Sequence, residues 1–143
     1  MSDPLPFGEI TRYIFEKKHF TKFDKDQNPT SPKIKRNAVM PMICDSGQRE
    51  TSVMGTSGLS ENDVDDLGNN HVATLRGKEL LAYARFPVGV PQSLELAVKN
   101  DKYEHARHCV IIDWPAAKED IIEKAEDLAK SISESSALRF KDF

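Results

Sequence analysis

The chain has 143 residues, of which 38% are hydrophobic and 30% are charged, and its formal net charge is −3. This length and composition are typical of a single domain that buries a hydrophobic core, so we expect one domain over residues 1–143. No run of residues approaches the roughly 18 apolar positions that a transmembrane helix needs, which excludes an obvious membrane span. The first residues, MSDPLPFGEI, lack the basic and apolar parts of a secretory signal, and we expect a cytoplasmic location.

The first predicted strand covers residues 8–15, GEITRYIF, which are rich in β-branched and aromatic side chains. A polar stretch follows at residues 16–36, where Asn28-Pro29 and Ser31-Pro32 interrupt any helix. We therefore predict a long basic loop over about residues 16–36. A loop of this length inside a compact domain is usually functional or disordered.

Cations in this predicted loop are interleaved with Phe20 and Phe23. Proteins that bind single-stranded nucleic acid combine cations and stacking rings in this way, whereas the alternative is a solvated surface loop. The candidate phosphate contacts in the loop are Lys17, Lys22, Lys33, Lys35 and Arg36.

A hairpin and a short helix are predicted next. Residues 37–43 form an apolar run that Pro41 confines to a sheet edge, and residues 48–54 pair with it across a turn that contains Gly47. Ser60 is the expected N-cap of a short helix with an acidic first turn. Gly-Asn-Asn at residues 68–70 is expected to end that helix.

Two more strands are predicted between this helix and the second half of the chain. In residues 79–86, ELLAYARF, apolar positions fall on both faces, so this strand should be covered on both sides. In residues 93–99, Leu94, Leu96 and Val98 alternate with polar residues, which predicts a strand with one buried face.

Residues 105–115, HARHCVIIDWP, combine two histidines with a strand-to-helix junction. The apolar run at 109–112 predicts a buried strand, and Pro115 is typical of a helix start. Beyond it an apolar stripe at helical spacing predicts a long C-terminal helix, and residues 133–143 form a tail. The fold class is therefore α+β: a mainly antiparallel sheet of five or six short strands, one short central helix, and one long C-terminal helix packed on a face.

His105 and His108 are the candidate catalytic residues, because histidine exchanges protons near neutral pH. At a spacing of three, the two imidazoles converge only if the chain forms a turn there, and Asp113 could then complete a metal site. The alternative is a structural hydrogen bond for one histidine and solvent for the other. Arg49, Arg76, Arg85 and Arg107 are the candidates that would hold an anionic substrate, and of these we predict Arg85 and Arg107 as anion contacts.

Other site chemistry is not favoured by the sequence. Cys44 and Cys109 are too far apart in sequence to form a zinc motif, and a thiol in an apolar strand is a poor nucleophile. A Ser-His-Asp set lacks the GxSxG elbow, and the glycine-rich phosphate motifs are absent. We expect no metal and no cofactor.

The function that these features favour is a small binding or accessory module within a larger complex, with a protein partner and a possible nucleic-acid contact through the basic loop. The alternative is an enzyme on phosphate-containing substrates, such as a phosphodiesterase or nuclease, that uses His105 or His108 as general acid or base.

Overall fold

The structure, a computed structural model, describes residues 8–23, 26, 29–43, 47–101, 105–135 and 137–140. The strands are β1 (Glu9–Ile14), β2 (Phe20–Phe23), β3 (Pro29–Ile34), β4 (Met42–Ile43), β5 (Arg49–Gly55), β6 (Ala82–Pro87), β7 (Ala97–Asn100), β8 (His108–Ile112) and β9 (Ala137–Phe140). The helices are α1 (Glu61–Leu67), α2 (Ala73–Arg76), α3 (Gly89–Gln92) and α4 (Lys118–Ser135), and a π turn (Gly68–Val72) joins α1 to α2. We call residues 61–76 the helical segment.

Within the described residues, seven strands form one antiparallel sheet. Six of them lie in the order β7-β8-β5-β1-β6-β9, and β4 pairs with the start of β5. Strands β2 and β3 form a separate hairpin. The predicted α+β class, with a mainly antiparallel sheet, a short central helix and a long C-terminal helix, is confirmed.

One face of the sheet is covered by α4, whose buried side chains recur at helical spacing as the sequence predicts. They are Ile121, Ala125, Leu128, Ala129 and Ile132. These side chains pack with the alternate core positions of the strands, among them Ile10, Ala84 and Ile111. At the junction before α4, Trp114 is buried and its indole N–H donates to the Ile111 carbonyl oxygen at 3.0 Å, so this residue caps the core.

The opposite face is covered by the helical segment. Tyr13 and Tyr83 pack there with Val64, and their rings meet edge to face at 5.4 Å. Ser60 caps α1 as predicted, through a reciprocal capping box with Asp63. A helix and a tyrosine ring can approach this closely only because the helix presents Gly68 to the ring of Tyr13.

The basic stretch is not the predicted loop. It contains a 3-10 turn (Lys17–His19) followed by β2 and β3. The prolines are tolerated because a two-stranded hairpin leaves many of its N–H groups without ladder partners, and Pro29 begins its strand. The hairpin contributes to the core, since the cross-strand partners Phe20 and Ile34 are both buried there.

Two predicted boundaries are also wrong. The helix that begins at Glu61 does not end at residues 68–70; it continues through the π turn to Arg76 and ends at Gly77, which has φ +64°. The strand predicted at residues 93–99 begins only at Ala97, because α3 and a turn with Glu95 at φ 65° occupy the residues before it.

The C-terminal tail packs onto the domain. Helix α4 extends to Ser135, and β9 pairs with β6 at the sheet edge, where Leu138 and Phe140 contact the core. Arg139 ties this strand to α1 through ion pairs with Asp65 and Glu61. Predictions that fell on Cys44, on Phe143 and on residues 45–46 lie outside the described residues.

Candidate functional site

The chain between His105 and His108 forms the turn that the two imidazoles need in order to approach each other. The N–H of His108 donates to the His105 carbonyl oxygen at 3.0 Å, and the Nδ1 atom of His105 accepts from the Arg107 N–H at 3.0 Å. His108 opens β8 and is buried, with its Nδ1 atom 3.3 Å from a carboxylate oxygen of Asp101. Each ring is therefore held in a fixed orientation.

A third histidine joins this group from the helical segment. His71, in the π turn, lies against His105 with their ring centroids 4.6 Å apart. The pKa of His105 is lowered from 6.5, first by burial and then by the neighbouring His71 and Arg107. Both causes favour the uncharged form of His105, whose ring meets that of His71 at a tilted angle of 50°.

A cleft of about 340 Å³ opens beside these histidines, between the helical segment and strands β1, β5 and β8. His71 and His108 line it, together with two arginines, Arg12 and Arg76. His105 contacts His71 but is not among the lining residues. The apolar side chains around the cleft are Phe15, Met42, Val53, Met54, Val72 and Leu75.

Arg12 has the most unusual environment of the lining residues. β1 pairs with β5 through Ile10 and Thr11, and at the next position the Arg12 side chain bonds to β5 instead. Its Nη1 donates to the Ser52 carbonyl oxygen at 2.8 Å, and its Nε donates to the Ala38 carbonyl oxygen at 2.7 Å. The guanidinium therefore satisfies backbone groups at the point where the two strands separate.

No acid among the described residues matches the charge of Arg12. In the part of the chain that the structure describes, no carboxylate forms an ion pair with it, and its pKa is lowered to about 10 by burial and by the nearby Arg76. A cation held among neutral carbonyls with a second cation close by produces a positive potential in the cleft. That potential favours an anion.

Arg76 lies at the end of α2, where the left-handed Gly77 stops the helix. Its guanidinium is 6.0 Å from the centre of the Phe15 ring, within the range of a cation–π contact. The residue is exposed, so its side chain can turn toward a ligand without disturbing the core.

Arg85 and Arg107, the anion contacts predicted from the sequence, are engaged by the fold. Arg85 forms an ion pair with Glu9 at 2.9 Å and donates to the Leu59 carbonyl oxygen at 3.0 Å. Arg107 donates to the Gly55 carbonyl oxygen at 3.1 Å. An anion at Arg85 would therefore have to compete with the carboxylate of Glu9.

The predicted nucleic-acid residues do not line this cleft. Lys17 is exposed, Lys33 and Lys35 flank the buried Ile34, and Arg36 forms an ion pair with Glu126. Lys33, Lys35 and Arg36 line a groove that also contains Glu126 and Glu134, so its charge is mixed. The side chain of Lys22 lies outside the described part of the chain.

Phe20 does not serve as a stacking platform for bases. Its side chain is buried in the core, with its ring 5.1 Å from that of Phe140. The side chain of Phe23, the other predicted platform, is not described.

Metal chemistry gains no support from the geometry. Asp113 lies beyond the end of β8, whereas His108 begins that strand, so roughly 16 Å of extended chain separates them. Among the described residues, no group of three or more potential ligands could hold a metal ion. Burial raises the pKa of the Cys109 thiol to about 11, which leaves it a poor nucleophile.

Comparisons with models of protein families, with curated proteins and with solved structures found no match to this chain. In the described portion of the chain, none of the helices has the length and apolar character needed to traverse a bilayer.

Arg12 is the site residue that sequence reasoning missed. Arg12 lies within the first predicted strand, GEITRYIF, and was not singled out there. The alternation of a strand nevertheless places it on the same face as the buried Ile10 and Ile14. A charged residue at a core position of a strand is rare unless it is paired or functional. That irregularity was the available signal.

Proposed function

We propose that this protein is a binding module that holds a small anionic ligand in the cleft beside the helical segment. The observation that carries the proposal is the environment of Arg12: its guanidinium lines a cleft, has only backbone carbonyls as partners among the described residues, and lies near a second cation, Arg76.

An anion in this cleft would offset the cost of holding Arg12 away from water. A hydrogen bond between a guanidinium and an anionic oxygen contributes about 1.5–3 kcal/mol, more than a neutral pair, because both partners are charged. Nε and Nη1 of Arg12 are already used, and its remaining N–H groups and Arg76 would supply the contacts. His71 would add a donor from the opposite wall.

The binding module that we propose also works with a protein partner, in the cytoplasm, as a component of a larger assembly. Three large apolar side chains near the cleft, Met42, Ile43 and Leu75, are each more than half exposed. An exposed apolar cluster is a common feature of interaction surfaces. We place the anion in the cleft and not on the basic hairpin, where Glu126 and Glu134 compete with phosphate for the same cations.

The test is calorimetric titration of the full chain with acetate, hexanoate and inorganic phosphate. We expect at least one anion to bind, and Arg76→Met to weaken that binding by about tenfold, which corresponds to the loss of one charged contact of about 1.4 kcal/mol. Arg12→Lys retains the charge but loses the planar fork, so it should weaken binding by at least as much.

The matched control is Arg36→Met, which removes an exposed arginine that is paired with Glu126 and does not line the cleft. It should leave the affinity unchanged. Thermal unfolding of each variant shows whether it is folded. Arg76→Met should have the same Tm as the wild type because Arg76 is exposed. Absence of binding for every anion at millimolar concentration would refute the proposal.

A second candidate function is hydrolysis of a phosphate-containing substrate in the same cleft. It is favoured by His108, whose ring lines the cleft and is oriented by Asp101 in the way that a general acid or base is held. A generic phosphodiester substrate should then be cleaved by the wild type, and His108→Gln should lower the rate at least 100-fold. Activity that persists in this variant would exclude His108, and the absence of turnover would leave the module a binding protein.

A further inference from the structure

The cleft that we propose as an anion site has few polar groups to offer beyond its cations and its two histidines, His71 and His108. The hydroxyl of Thr11 is bonded to that of Thr56 at 2.8 Å, and the hydroxyl of Tyr13 donates to the Val64 carbonyl oxygen at 2.6 Å. The Ser52 carbonyl oxygen accepts from Arg12. A sugar or a nucleoside would bury several polar atoms here without partners, which is costly for each atom.

The remaining wall of the cleft is apolar. Phe15, Val72 and Leu75 lie on the side of the helical segment, and Met42 and Met54 belong to the strands. Leu75 and Met42 are 62% and 65% exposed, so apolar surface continues from the interior of the cleft to its mouth. An apolar ligand that covers this surface would remove it from water, which is favourable because of the hydrophobic effect.

We infer that the ligand is a small monocarboxylate with an aliphatic chain, its carboxylate at Arg12 and its chain along Phe15, Val72 and Leu75. This inference rests on the proposed anion site and names its ligand class. A carboxylate carries one charge and two acceptor oxygens, which the remaining N–H groups of Arg12 and those of Arg76 can satisfy together, whereas a phosphate group carries up to two charges and three oxygens. A cleft of about 340 Å³ is near the lower end of the range for small-molecule sites.

The experiment is a titration of the full chain with a series of unbranched carboxylates: acetate, butanoate, hexanoate and octanoate. Each buried methylene should tighten binding about threefold to fourfold until the chain leaves the cleft. Octanoate should bind more tightly than inorganic phosphate and more tightly than octanamide, which has the same chain without the charge.

A pair of matched variants tests the position of the chain. Leu75→Asn replaces an exposed residue that lines the cleft, and Ile43→Asn replaces an equally exposed residue that does not. We expect Leu75→Asn to reduce the gain per methylene while acetate binding stays the same, and Ile43→Asn to change neither. Both residues are exposed, so both variants should fold, and their thermal unfolding is measured alongside.

The outcomes separate this inference from the proposed function. Phosphate binding that depends on Arg76, with no gain from chain length, would overturn the aliphatic ligand and leave the anion site standing. Octanamide binding as tightly as octanoate, or no binding by any anion, would overturn both. A peptide with a C-terminal leucine that binds more tightly than octanoate would overturn the small-molecule ligand in favour of a protein terminus.

Discussion

Gly68 is the position where one added methyl group should disturb both the fold and the cleft. It lies at the start of the π turn, where the helical segment passes over the ring of Tyr13. A Cβ atom at this position would lie 2.8 Å from Leu80 Cδ2 and from Tyr13 Cδ1, and closer still to Tyr13 Cε1. Ordinary contacts between carbon atoms are about 3.5–4.0 Å, so the side chains or the helix must move.

Two opposing effects decide whether Gly68→Ala raises or lowers the free energy of unfolding. The backbone at Gly68 is helical, with φ −65°, so alanine would by itself stabilise the helix by about 1 kcal/mol. Crowding in a packed core costs about 1–3 kcal/mol, and it should reach the upper part of this range here. The Tyr13 ring cannot turn away easily, because its hydroxyl is bonded to the Val64 carbonyl oxygen and its ring packs on Tyr83.

The expected net change is a loss of about 1–2 kcal/mol in the free energy of unfolding, or about 4–8 °C in Tm for a chain of this size. Urea unfolding followed by circular dichroism measures the first quantity, and a thermal scan measures the second. The control is Gly89→Ala in α3, where an added Cβ meets no atom within 4 Å, so stability should be unchanged or higher. If Gly68→Ala is as stable as the wild type, the close packing of the helical segment on Tyr13 is not as described.

Three further predictions concern residues whose roles differ between sequence and structure. Phe20→Ala should lower the free energy of unfolding by about 3 kcal/mol because its ring is buried against Phe140. Urea titration measures this change, and an unchanged free energy of unfolding would mean that the Phe20 ring is exposed. In a Cys44→Ser background, Cys109 should react with a thiol reagent at pH 8 only after unfolding, since burial raises its pKa to about 11; rapid labelling of the native protein would contradict this. The pKa of His105 in the folded protein lies below its ordinary value of 6.5. As the pH falls through 6.5, the unfolded chain therefore binds more protons than the folded protein does, and the stability that is present above that pH is lost below it. His105→Gln should flatten this decline in a series of thermal scans between about pH 7.5 and 5.5, and an equally steep decline in the variant would assign it to other groups, such as His19, whose pKa is lowered in the same direction.

The sequence predicted the elements whose burial follows a regular period. α4 shows apolar side chains on one stripe, β8 is a short apolar run, and β6 alternates between two covered faces. The helix boundary that was predicted wrongly lies at a residue whose conformation is determined by tertiary packing and not by local propensity. Gly68 was read as a helix stop, but it is a point of close approach to Tyr13.

The candidate site was predicted only in part. Convergence of His105 and His108 requires a turn between them, and the structure contains a turn at this position. Whether Arg12 and His71 lie beside His105 could not be decided from the sequence, because they precede it by 93 and 34 residues. Nothing in the local pattern around His105 shows which distant residues the sheet brings next to it.

Local periodicity was enough to establish the fold class, the long helix and the faces of the strands, because burial of apolar side chains repeats with the geometry of each element. The cleft was decided only by the tertiary structure. It exists because β1 and β5 separate after two paired residues, and because the helical segment continues past Gly68 far enough to place His71 and Arg76 over the gap. Both features depend on contacts between distant parts of the chain, and these contacts determine where the charge of Arg12 meets an opening to solvent.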